Sequence, residues 1–203
     1  MRTIMRTQNP LGALDMLSPQ ITHALPEVVT GIEEKSEDLG WDCPAVLLTL
    51  FYRQLVTGSP LHLIEVEASP FALDLEPGSE SGLAGVLNLL VGFISISENA
   101  PELKDWLDPT HRTFVGYALV FEGIQYTPYA DDAYGDINAV PAMADAEVRI
   151  VVAIDTDGRC YEARRIRGRG PQPVEVHDTL TPELLAGAIP DVLSRLVTAT
   201  HRL

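Results

Sequence analysis

The chain has 203 residues, 46% of them hydrophobic, enough for one domain that buries roughly 70% of the surface its unfolded form exposes. Its 29 acidic against 14 basic residues give a net charge of −15, which repels nucleic acid and anionic membrane and sets both aside as partners. Two isolated cysteines and five singly placed histidines exclude a disulfide scaffold and any closely spaced metal motif, so neither metal nor cofactor is expected.

Residues 1–24 read as an N-terminal arm, and residues 25–203 as a single domain. The arm begins Met-Arg-Thr-Ile-Met-Arg-Thr, with positive charge but no apolar segment behind it, unlike a secretory signal. With the longest apolar run, Leu83 to Ile96, too short to span a bilayer, the expected location is the cytoplasm. A first helix is expected over about Leu25 to Leu39. Val28, Val29, Ile32 and Leu39 recur at helical spacing, while Glu33, Glu34, Lys35, Glu37 and Asp38 are assigned to water.

Gly40-Trp41-Asp42-Cys43-Pro44 follows as a compact corner. Gly40 stops the helix because the residue after a helix often needs positive φ. Trp41 is large enough to wedge the helix against a sheet, and is also a candidate aromatic platform in a ligand site. The strand expected at 46–55 opens on the apolar run Val46 to Tyr52 and reads as covered on both faces.

Leu61 to Val66 reads as a second strand, with Glu65 and Glu67 on one face, and Phe71 to Leu75 as a short third. A helix is expected from Ser81 to Ile96 on the stripe Leu83, Val86, Leu87, Leu90 and Ile94. A helical turn at Pro101 to Leu107 follows, anchored by Trp106. Phe114 to Tyr126 is a second strongly apolar strand. The segment at about 127–146 shows no period, carries Asp131, Asp132 and Asp136, and reads as an exposed acidic loop.

Val148 to Ile154 and Arg159 to Arg167 flank Asp155-Thr-Asp-Gly158, a hairpin signature whose Asp-Gly pair suits the primed turns. Thr181-Pro182-Glu183 starts a last helix that Pro190 should kink or restart. Strand clusters separated by helices predict an α+β fold: an antiparallel sheet of about five to six strands with helices packed mainly on one face.

Chemical motifs are sparse. There is no nucleophile elbow, no phosphate-binding glycine loop and no dinucleotide fingerprint. The densest feature is an arginine strand, with Arg159, Arg164, Arg165, Arg167 and Arg169 inside eleven residues. Strand alternation puts Arg159, Arg165 and Arg167 on one face and Arg164 on the other. Guanidinium forks suit carboxylate or phosphate, so Arg159, Arg165 and Arg167, with Trp41 or His177 nearby, are the candidate ligand-binding residues. The alternative is that these arginines pair with acids of their own chain.

The Gly40–Pro44 corner, the strand Glu147 to Ile154, the turn Asp157-Gly158-Arg159, the arginine strand and the Leu- and Ala-rich last helix together resemble an uncharacterised family of proteins from high-GC actinobacteria. Members there show Gly-Trp-Asp-Gln-Pro followed by Arg, where this chain has Cys43 and Ala45. The resemblance carries no activity and no site residue across. The expected function is a non-enzymatic binding or adaptor protein with a protein partner, as a homodimer. The alternative is a small-molecule-binding protein or enzyme that holds an anionic ligand on residues 159–169.

Overall fold

A computed structural model of the chain describes residues 16–54, 62–69, 71, 80–96, 99–107, 112–125, 146–178 and 188–203. The expected strand at 72–75, the acidic loop at 127–145 and the helix start at Thr181 lie outside them. Helix α1 spans Pro19–Leu39, α2 Glu80–Ile94, α3 Ala100–Leu107 and α4 Ala188–His201. Strands β1 (Val46–Gln54), β2 (His62–Ala68), β3 (Arg112–Gln125), β4 (Ala146–Asp155), β5 (Cys160–Ile166) and β6 (Glu175–His177) form one sheet. Their order is β2-β1-β3-β4-β5-β6, antiparallel at every pairing. The expected α+β class therefore holds.

The period-two alternation of the central strands divides the core between two faces. On one face Ala118, Val120, Val151, Ala153, Tyr161 and Ala163 pack under Leu25, Val29 and Ile32 of α1. On the other, Tyr117, Leu119, Phe121, Val152, Ile154 and Cys160 pack under α2, α3 and α4. Three of the four described helices thus share one face, and α1 alone covers the other.

The small residues Ala118, Ala153 and Ala163 let α1 lie close to the sheet. Gly116 is required for a tighter approach, since a Cβ there would stand 2.1 Å from the carbonyl oxygen of Ile154. Val115 is skipped where Leu50 faces Gly116 and Phe51 faces Phe114, a β-bulge that lets Phe51 reach Trp106 at 5.6 Å and Phe114 at 6.3 Å.

α1 starts at Pro19, earlier than the expected Leu25, so residues 19–24 belong to the helix and not to an arm. Ser18 and Pro19 explain the start, because proline suits the first helical turn, where its missing N–H is not needed. Pro26 then sits inside the helix. The first turn is tied to the β4–β5 hairpin: the Leu17 amide donates to both carboxylate oxygens of Asp157 at 3.2 Å.

Candidate functional site

The corner after α1 has the backbone its residues suggest. Gly40 has φ 91° and Asp42 has φ 63°, both in the left-handed region, which glycine takes freely and aspartate tolerates. The Asp42 amide donates to Glu122 Oε2 at 2.8 Å, fastening the corner to β3.

Beneath this corner lies Arg149, which sits on the α1 face of β4 and is 1% exposed. Its guanidinium donates to Glu37 at 2.8 Å, to Glu122 at 3.0 and 3.2 Å, and to the Gly40 carbonyl. Its carbon also lies 4.5 Å from the Trp41 ring centre. Trp41 is therefore a lid over a buried arginine, with Arg167 at 5.5 Å on the same ring. A cation on a buried face needs such a set of partners, because desolvation otherwise outweighs its attractions.

Arg159, Arg164, Arg165 and Arg167 of the arginine strand are each engaged within the chain. Arg165 makes a forked pair with Glu33, at 2.6 and 2.8 Å. Glu33, assigned to water by its helical position, is 1% exposed. Its place on the helix turns it toward β5, and Arg165 supplies the compensating charge. Arg167 pairs with Glu147 and with Asp42 at 3.3 Å. Arg159 pairs with Asp157 at 2.6 Å and with Asp155 at 3.4 Å. Arg164, on the opposite face as alternation requires, pairs with Glu162.

Arg159 lies near the opposite end of β5 from Arg165 and Arg167, so the three candidates line no common pocket. His177, on the edge strand β6 beside β5, lies 3.6 Å from Glu175. Asp155 accepts hydrogen bonds from the Tyr161 hydroxyl at 2.9 Å and from the amides of Asp157 and Arg159. Burial raises its pKa, and the Arg159 amide and the Tyr161 hydroxyl work against that shift. Among the described residues no cluster of three His, Cys, Asp or Glu is placed to hold a metal ion. No described helix is long and apolar enough to cross a membrane.

Arg159 lines a hollow with Thr22 and His23, and another concave feature lies elsewhere. A groove of about 440 Å³ opens between α1 and the β1–β2 side of the sheet. Val28, Ile32 and Leu39 form the helix wall, Ile64 and Val66 the opposite wall, and Val46, Leu48 and Val120 the floor. The Glu122–Arg149 pair closes one end, and Cys43 with Pro44 stands at the lip. Leu39, Val46 and Val66 remain exposed there. Gly31 also lines the groove, and a Cβ added to it would meet nothing within 4 Å.

Sequence reasoning missed both Arg149 and the groove. The signal for Arg149 was available: a lone arginine within Val148-Arg-Ile-Val-Val-Ala153, in phase with the inward Val151 and Ala153. The groove had no such signal, because it depends on how far α1 extends across the sheet. No family model, curated protein or solved structure matches the chain.

Proposed function

We propose that this chain is a binding protein, not an enzyme, and that its groove receives a basic amphipathic helix of a partner protein. The observation that carries the reading is the open apolar groove of about 440 Å³, while Arg159, Arg164, Arg165 and Arg167 are each engaged within the chain. A cavity of 150 Å³ holds one benzene, so this groove has room for roughly three ring-sized apolar groups. An amphipathic helix presents that many at i, i+3 or i+4, and i+7.

The charge argues for a basic partner. Glu27, Gly31, Glu34 and Asp38 follow i, i+4, i+7 and i+11, a single line along α1. Gly31 lines the groove and the three acids are exposed, so an acidic line flanks a helix wall that itself carries Lys35. With a net charge of −15 behind it, that line attracts cationic flanks and repels anionic ones.

A labelled amphipathic Leu/Lys peptide, followed by fluorescence anisotropy, tests the reading. Gly31→Leu fills open space and removes a helical glycine, so the variant should fold at least as stably and lose the peptide. Glu27→Lys with Glu34→Lys and Asp38→Lys should shift preference to a Leu/Glu peptide. Binding unaffected by Gly31→Leu would refute the groove. Equal affinity for both peptides would refute the charge preference alone. Tight binding of oleate with no peptide binding would replace the protein partner by an anionic amphiphile. The anionic-ligand alternative on Arg159, Arg165 and Arg167 has less support, since each already holds a carboxylate.

A further inference from the structure

Helix α2 lies on the face of the sheet opposite the groove, and its outward side is unusual. After Glu80 at its first position it contains no charged residue, in a chain whose net charge is −15. Leu83, Leu87 and Ile94 are buried in the core, but Leu89 is 73% exposed, Phe93 44% and Ile96 50%. Leu89 and Phe93 follow i and i+4 and make one apolar line on the solvent side, with Ile96 in the turn just beyond the helix. A helix that is apolar all round is normally covered all round.

The glycines add a second, independent observation. Gly85 and Gly92 are both exposed on this outward side, and a Cβ at either would meet nothing within 4 Å. Glycine is the costliest residue other than proline inside a helix. The chain's own packing requires neither glycine, whereas close approach of another helix does.

We infer that two copies of the chain associate through α2, packed antiparallel about a two-fold axis at Leu89. An axis there brings position 93 opposite 85. Phe93 of each copy then fills the gap over Gly85 of the other. Leu89 enters the hole between Gly85, Asn88 and Gly92 of the second copy, and the same contacts recur in reverse, as a two-fold interface demands.

The charge pattern selects a second copy of the chain. Two molecules of −15 repel wherever acidic surface meets acidic surface, and α2 is the helix on which they can touch without opposing charges. On the adjoining α4, Asp191 lies 3.7 Å from Arg195, so that flank is locally neutral. Phe93 is held for this contact by an edge-to-face pairing with Phe71 at 6.2 Å.

Sedimentation velocity over a wide concentration range tests the interface. Wild type should reach a dimer, and Leu89→Glu should be a monomer at every concentration. Gly85→Leu should also be a monomer, while its melting temperature holds or rises because the helix gains a better former in open space. In a Cys43→Ser background, Leu89→Cys should cross-link two chains on mild oxidation, whereas Ser194→Cys on α4 should not. A wild type that stays monomeric overturns the proposal, as does a dimer that survives both Leu89→Glu and Gly85→Leu. The groove lies on the other face of the sheet, so peptide binding and dimerisation can fail separately.

Discussion

Replacing Arg149 by leucine probes the corner most sharply. The substitution leaves Glu122, whose side chain is 12% exposed, without its cation, and the Gly40 carbonyl without its donor. Truncating one partner of a buried ion pair costs about 3–5 kcal/mol. Glu37 is 39% exposed, so after solvent screening its share is at most about 1 kcal/mol. The loss of the Trp41 contact adds about 1 kcal/mol. A total of about 4–7 kcal/mol is expected, a large part of the roughly 5–15 kcal/mol that holds a domain together. Urea unfolding followed by far-ultraviolet dichroism measures it, with an unchanged slope showing that only stability moved. Arg149→Leu with Glu122→Leu removes the orphaned charge and should recover much of the loss. It should stop short of wild type by about 2 kcal/mol, because the Trp41 contact stays lost and the Asp42 amide loses its acceptor. A single variant that costs under about 1 kcal/mol, or a double variant whose cost is the sum of the singles, would refute the reasoning.

Three further outcomes are expected. Burial pushes the Cys160 thiol up to about 12, with Glu162 and Asp155 adding to the effect, whereas Cys43 stands at the groove lip. Native protein at pH 8 should therefore take one maleimide at Cys43, and the second only on unfolding, as mass spectrometry would show. Burial also pushes Tyr117 up to about 12 from an ordinary 10.0, against a smaller opposing effect of its hydrogen bond to Thr200, and raises Tyr161 as well. A raised folded pKa stabilises fully below the unfolded value and is lost as pH rises through the folded one. Stability should thus fall steeply from pH 10 toward 12, and an ultraviolet titration should show these two phenols ionising only as the protein unfolds. Gly116→Ala, which places a methyl 2.1 Å from the Ile154 oxygen, should cost about 3 kcal/mol in the same urea assay. A loss below about 1 kcal/mol would mean that β3 and β4 can separate there without penalty.

Much of the fold was legible because local chemistry and global structure agree. The Asp155–Gly158 turn, the stop at Gly40 with its positive φ, and the apolar runs of β1 and β3 each follow from their own residues. The edge strand β6 has only three residues, too few for alternation to show. The start of α1 is hidden because Pro26 suits a first helical turn as well as Pro19, which fills that place, does.

The site was less legible, for a physical reason. Glu33 and Glu37 carry the same charge and lie four residues apart, yet Glu33 is buried against Arg165 while Glu37 stays half exposed beside Arg149. Which acid turns inward depends on where α1 crosses the β4–β5 pair, and no helical period contains that. The alternation of arginines along β5 was correctly readable, but their partners come from residues up to 132 positions away.

Cys43 offers the most direct test of the groove as a binding site. Its thiol stands at the lip, so an occupant should shield it, while the buried Cys160 stays silent. The rate of maleimide labelling at Cys43 should drop severalfold when the Leu/Lys peptide is added, and Gly31→Leu should abolish that protection. An unchanged labelling rate at saturating peptide would contradict the account.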